Sequence, residues 1–271
     1  MLRPRITPCL LIHERGLVKT VGFGDPKYIG DPINAVKIFN EKHADELIVL
    51  DIDATTKGVE PDYKLIEKLA AECRMPLCYG GGISTPEQAN RIIGLGVEKV
   101  AISAAAVKNP TLLTAVAALI GRQSVVAVLD VKKRSGILAK GYEVRTHNGR
   151  TAIPFDPIKL AVTLQDAGAG EVIINVIDRD GQMKGYDLSL ARQIRAVLNV
   201  PMTMLGGAGS ADDIAALYAT CGIVGAAVGS MFVFKGPYRA VLINYPTDAQ
   251  KNNIYLSAAQ SEEGAHGHVC K

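Results

Sequence analysis

Two stretches half a chain apart decide the fold: Pro76-Leu77-Cys78-Tyr79-Gly80-Gly81-Gly82 and Pro201-Met202-Thr203-Met204-Leu205-Gly206-Gly207. One shift lays Pro76 on Pro201, Gly81 on Gly206 and Gly82 on Gly207. The same shift carries residues 46–51 onto 171–176 and Asp53 onto Asp178. Around both stretches, short apolar runs alternate with amphipathic helical patterns. That is the signature of a (β/α)4 unit doubled into a single α/β (β/α)8 TIM barrel. Such barrels carry their chemistry at the C-terminal ends of the strands, so candidate site residues are sought there.

Working outward, eight runs read as strands: 6–11, 47–52, 77–79, 100–103, 125–130, 172–176, 202–205 and 223–228. Most are apolar without polar alternation, as expected of strands covered on both faces. Between them, 31–42, 62–72, 85–95, 110–120, 158–167, 188–198, 211–219 and 238–245 read as helices. Asp31-Pro32, Thr85-Pro86 and Asn109-Pro110 are cap and first-turn pairs. Two connections are long. In 131–156, which includes Gly136, alternation up to Asn148-Gly149 predicts a small β-hairpin. Residues 178–187 form a charged, glycine-bearing loop at the active face. The barrel is expected to span 1–246 and a polar, disordered tail 247–271.

The 271 residues are 48% apolar and 21% charged, ordinary for one well-cored domain. A net charge of +3 without a concentrated basic patch argues against nucleic acid. Cys9, Cys73, Cys78, Cys221 and Cys270 show no metal or redox spacing, so a reduced, cytoplasmic setting is expected. The N-terminus, running from Met1 into Arg3 and Arg5, carries no signal-like apolar run, and no run is long enough to span a membrane. No cofactor or metal is expected. His266, His268 and Cys270 have ligand chemistry, but a solvated tail explains them more simply.

The glycines after strands three and seven each run into a helix start, Ser84-Thr85 and Ser210-Ala211. Backbone amides at a helix N-terminus suit a phosphate; the alternative is that the glycines only make tight turns. Gly229-Ser230 after strand eight would complete the second of two phosphate rims. Asp130 ends strand five and Asp51 ends strand two, natural positions for an acid or base, or for a capping aspartate. Asp53 and Asp178 sit just above equivalent strands. Lys19 in the first loop is either a counter-charge for an anion or a solvated surface lysine. At the other end of the strands, Arg5, Glu46, Lys99 and Glu171 open strands one, two, four and six. A ring of these four reads as a salt-bridged plug, the ordinary business of a barrel's bottom face.

Taken together, the motifs 5–10 (Arg-Ile-Thr-Pro-Cys-Leu), Gly30-Asp31-Pro32, Leu50-Asp51-Ile52, Tyr79-Gly80-Gly81-Gly82-Ile83, Asp178-Arg179-Asp180-Gly181 and Gly185-Tyr186-Asp187 resemble the cyclase subunit of imidazole glycerol phosphate synthase, over residues 2 to about 245. The resemblance implies a heterodimer with a glutaminase on the bottom face. Ammonia then passes a charged gate matching Arg5, Glu46, Lys99 and Glu171. It implies a bis-phosphorylated substrate at the top, with Lys19, Asp51, Gly82, Ser103, Asp180, Gly181, Gly207, Gly229 and Ser230 at matching binding positions.

One departure redirects the functional expectation. The resemblance implies a pair of catalytic aspartates, after strands one and five. The second is Asp130; the first position holds Leu11. Leucine transfers no proton, so the division of labour between two carboxyls is lost. Ser103 with Ala104, Asn175 and Leu205 also replace expected polar residues. The pattern resembles the second cyclase copy found in bacterial surface-polysaccharide clusters. There, ammonia is implied to go to a separate sugar amidotransferase. An authentic cyclase of histidine biosynthesis and a non-catalytic activator of a glutaminase remain the alternatives.

Overall fold

Eight short parallel strands close on themselves here, with one face in the bore and the other under helices. In the computed structural model, which describes residues 4–135 and 140–266, the barrel strands are Arg5–His13, Leu47–Asp51, Leu77–Gly80, Lys99–Ile102, Val125–Lys133, Glu171–Val176, Met202–Leu205 and Gly225–Val228. All pair in parallel with their chain neighbours, and the first closes on the eighth with Arg5 opposite Gly225. Helices Pro32–Glu41, Tyr63–Glu72, Pro86–Gly94, Thr111–Ile120, Pro157–Asp166, Leu188–Arg195 and Ala211–Cys221 fill the crossovers. Their starts are set by local chemistry: Asp31 accepts from the Asn34 amide at 2.9 Å, and Thr85 and Ser210 form reciprocal boxes with Gln88 and Asp213.

The doubled sequence is visible at atomic level. A side chain at Gly81 would begin 2.5 Å from the Asp51 carbonyl, and one at Gly206 2.7 Å from the Val176 carbonyl. Asp51 and Val176 are themselves partners under the sequence shift. Both glycines hold positive φ, 126° and 94°, so close approach and backbone conformation each exclude a larger residue.

Three expectations change. The first connection is not a plain loop: Gly16–Lys19 and Lys27–Gly30 extend strand one as an antiparallel ribbon. The helix expected over 238–245 is instead a short hairpin, Phe234–Lys235 against Ala240–Val241, whose turn holds Gly236 and Arg239 at φ 72° and 51°, left-handed values that a helix does not use. The tail expected from 247 contains the helix Asp248–His266. Its Lys251 bonds Asp45 at 2.8 Å, its Tyr255 hydroxyl donates to the Pro4 carbonyl at 3.1 Å, and Ile254 and Ala258 are buried. It covers the seam between strand one and helix Ala211–Cys221, as the eighth helix of the barrel. The hairpin expected before the fifth crossover helix is present, Tyr142–Thr146 against Thr151–Ile153; Gly136 lies outside the described residues.

Candidate functional site

Alternation along each strand sends every second side chain into the bore. At its base are Arg5, Glu46, Lys99 and Glu171, with Glu46 one residue ahead of its strand. Arg5 donates to Glu46 at 2.8 Å and Glu171 at 2.7 Å; Lys99 donates to Glu46 at 2.7 Å and Glu171 at 3.0 Å. Each carboxylate bridges both cations, and Thr203 adds a bond to Glu171 at 2.7 Å. Burial alone would raise the Glu171 carboxyl; Arg5 and Lys99 more than offset it and hold it below the usual range.

Above the ring the bore is apolar. Cys9, Ile48, Cys78, Ala101, Val126, Val128, Ile173, Leu205 and Ala227 form one buried cluster, with Leu11 and Leu50 packed on it. It ends at a cavity of about 710 Å³ at the C-terminal ends of the strands, lined by Leu11, Asp51, Gly80, Gly81, Gly82, Ser103, Asp130 and Asn175. Asp130 is the acid in that floor. Its Oδ1 accepts from Asn175 at 2.9 Å, and its Oδ2 accepts from Ser103 at 3.4 Å. Burial pushes its carboxyl up to about 6, against the lowering effect of those two bonds. The replacement residues at 103 and 175 are therefore partners of the remaining acid. Strand register, which sets Asn175 opposite Asp130, was the missing signal. Leu11 is opposite Leu50, so no second acid faces Asp130 from strand one.

The other candidates divide. Asp51 lines the cavity, but its Oδ1 accepts from the Asp53 and Ala54 amides at 2.8 and 3.1 Å. Burial raises its carboxyl above the ordinary value. Asp53 is tied to His13 at 2.7 Å, the Glu14 amide at 2.8 Å and Lys57 at 3.0 Å. Asp178 accepts from the Lys133 amide at 2.6 Å. Asp180 holds the first connection down, accepting from Thr20 Oγ1 at 2.6 Å and the Phe23 amide at 3.2 Å, while Gly181 lets the Thr20 carbonyl approach. Lys19 is buried, which removes the reading of a solvated surface lysine. Its Nζ donates to the Cys9 carbonyl at 2.5 Å and sits 3.1 Å from where a Gly229 side chain would begin.

The glycine rims also need revision. The expectation was free helix amides beside Gly80-Gly81-Gly82 and Gly206-Gly207. Instead Gln88 Oε1 accepts from the Ser84 and Thr85 amides, at 2.8 and 3.2 Å. Asp213 accepts from the Gly209 and Ser210 amides, both at 2.9 Å, and the Gly82 amide donates to Thr55 at 3.3 Å. These particular amides are taken up by the helices' own caps. Gly207, at φ 118°, and Gly229 remain at the second rim, beside buried Ser230.

Among the described residues no group of three or more His, Cys, Asp or Glu is placed to hold a metal, and no helix is long and apolar enough to cross a membrane. His268 and Cys270, two of the tail residues with ligand chemistry, lie outside the described residues.

A family described as histidine biosynthesis protein matches residues 5–238. A protein of Vibrio vulnificus, provisionally named imidazole glycerol phosphate synthase subunit hisF3, is 56% identical over 93% of this chain and 96% of its own length. The chain belongs to the imidazole glycerol phosphate synthase cyclase-subunit family. A Pseudomonas aeruginosa relative, provisionally named subunit hisF2, is 50% identical over 94% of this chain and all of its own. The Solidesulfovibrio magneticus subunit HisF, named without that proviso, is 38% identical over 88% of this chain and 92% of its own. The cyclase-subunit barrel thus shares more with relatives that carry copy numbers than with this last one.

Proposed function

We propose that this cyclase-subunit barrel conducts ammonia from a glutaminase docked on its bottom face. We further propose that the ammonia serves amidation of a surface-polysaccharide sugar by a separate amidotransferase, rather than formation of imidazole glycerol phosphate. One observation carries the reading: the four-charge ring and the apolar bore above it are complete, while the acid expected opposite Asp130 is Leu11. A neutral molecule such as ammonia travels an apolar bore at little cost, whereas an ion does not. Three exposed aliphatic residues support a docked partner. Leu119, Val197 and Ile223, 51%, 38% and 54% exposed, all lie where outer helices hand over to strands, around the ring. A phosphorylated ligand at the mouth fits Gly207, Gly229 and Ser230 better than Gly82, whose amide is already engaged.

The authentic cyclase is the second reading. Asp130 favours it, being an acid poised near neutrality and held by Asn175. Co-expression with a glutaminase subunit tests the first. The reading expects a stable heterodimer and glutamine hydrolysis that rises when this chain is added. No complex, together with hydrolysis indifferent to this chain, would contradict it.

A further inference from the structure

Strand one starts ahead of strand two. Its ladder with Leu47–Asp51 begins only at Cys9, opposite Ile48, whereas on its other side it is paired from Arg5, opposite Gly225. Arg5, which makes two of the ring's four ion-pair contacts, therefore stands on an overhang that the sheet holds from one side. A buried backbone group without a ladder partner must find another. Ile6 is buried, and side chains supply its partners. Its amide donates to Asp45 Oδ2 at 3.2 Å, and its carbonyl accepts from the Tyr245 hydroxyl at 2.8 Å. The two preceding carbonyls also accept from tyrosines, Arg5 from Tyr218 at 2.9 Å and Pro4 from Tyr255 at 3.1 Å.

These supports converge on Asp45. Its amide donates to the same Tyr245 hydroxyl at 3.1 Å, and its Oδ1 accepts from Lys251 Nζ at 2.8 Å. The next residue in the chain is Glu46 of the ring. Asp45 thus grips the backbone beside Arg5 and is joined covalently to Glu46, and those two residues meet at 2.8 Å. Tyr245 is wedged between Phe39 and Phe232, with centroids 6.5 and 5.3 Å away, which fixes where its hydroxyl lies. Lys251 is buried, and its ammonium also sits 5.4 Å from the Tyr245 ring centroid. Burying a lysine costs desolvation and side-chain entropy that an alkyl side chain at the same place would largely avoid. What the charge adds is direction: a short ion pair fixes the Asp45 carboxylate, and that carboxylate fixes the start of strand one.

We infer that Asp45, Tyr245 and Lys251 are positioning residues for the ring. Through the Ile6 backbone and Glu46 they hold its Arg5–Glu46 side at the spacing that Lys99 and Glu171 complete. The last helix, Asp248–His266, thereby acts on the base of the barrel, and the inference rests on the ammonia-route reading above. Glutamine hydrolysis by the glutaminase, measured with the full chain at saturating amounts, tests it. Saturation separates the rate within the complex from weakened docking. Lys251→Met keeps the stem and removes the charge; Tyr245→Phe keeps the ring and removes the hydroxyl. Each should lower the stimulated rate at least about twofold, the lower edge of what residues along a coupled network contribute. Lys251→Arg should restore most of it. Stimulation equal to wild type in both variants overturns the inference and leaves the ammonia route standing. A wild-type chain that stimulates nothing overturns the route, and the inference with it. A second measurement needs no partner. Lys251 and Glu171 share no contact among the described residues, so their effects on Tm should add unless the ring is coupled to Asp45. The loss in Lys251→Met combined with Glu171→Gln should differ from the sum of the single losses, with Tyr245→Phe entering the same cycle if Lys251→Met does not fold. Additive losses would mark these residues as supports of the fold alone and overturn the inference.

Discussion

Replacing Glu171 by glutamine removes one of the two anions in the ring at the base of the barrel. Glu171 receives three bonds, from Arg5, Lys99 and Thr203, at 2.7, 3.0 and 2.7 Å. Glutamine keeps the shape but leaves two cations sharing Glu46 alone. Breaking a buried ion pair from one side costs about 3–5 kcal/mol. Arg5 has 32% of its side chain exposed and Lys99 12%, so water screens part of the excess charge. The expected loss is then about 3 kcal/mol, the lower end of that range. At roughly 2–4 °C per kcal/mol for a chain of this size, Tm should fall by about 6–12 °C. The loss should also depend on pH. The Glu171 carboxyl is held below its ordinary value, so its contribution is present above the unfolded-state pKa and fades as pH falls through the lower folded one. The gap between wild type and Glu171→Gln should close in acid. Calorimetric melts across pH read both effects. Converting all four residues together (Arg5→Met, Glu46→Leu, Lys99→Met, Glu171→Leu) should leave stability near or above wild type, since well-packed apolar groups replace buried charges without penalty. A single-variant loss below about 1 kcal/mol would refute the coupled ring. A collapse of the fourfold variant would mean that the ring is kept for stability.

Asp130→Asn should gain stability relative to wild type as pH rises. A folded pKa of about 6 means that the wild-type carboxyl stabilises below its unfolded value and loses that as pH climbs through 6. The relative gain between pH 4 and pH 8 is at most about 3 kcal/mol by urea unfolding, and a flat difference refutes it. Gly207→Ala should cost about 2–4 kcal/mol, because its Cβ would lie 2.2 Å from the Gly185 carbonyl at φ 118°. Gly58→Ala, at φ 63° with nothing within 4 Å, should cost less; equal costs would contradict the close-approach argument. Ending the chain before Thr247 should lower Tm by several degrees and promote association, by removing Ile254, Ala258 and the Lys251–Asp45 pair from the barrel. An unchanged melt would show that the last helix is dispensable.

Much of this molecule was legible before its coordinates. Strands buried on both faces read as apolar runs, and a doubled gene product repeats its glycines, so the barrel and its two halves followed from pattern. Arg5, Glu46, Lys99 and Glu171 were legible as a ring because charged residues at strand starts have few other ways to be satisfied. The rest depended on contacts that pattern does not carry. Helix Asp248–His266 hides its apolar stripe among polar residues, with Lys251, Ile254 and Ala258 making its buried edge among the described residues. The boxes Thr85–Gln88 and Ser210–Asp213 have the spacing of a capping box, but that Gln88 and Asp213 also take the Ser84 and Gly209 amides depends on side-chain reach. The clamp of Asp180 on the first connection, which joins residues far apart in the chain, is equally absent from the pattern.

The central claim is that the ammonia route persists while the cyclase chemistry does not. Imidazole glycerol phosphate formation, measured with the cyclase substrate and saturating ammonium salt, tests it without any partner protein. Loss of a positioned acid or base costs on the order of 10²–10⁴ in rate, so turnover should fall at least a hundredfold below that of a cyclase-subunit relative measured alongside. Leu11→Asp alone should recover little of it, because Ser103, Ala104 and Leu205 still shape the mouth. Turnover matching that relative, with Leu11 in place, would contradict the account.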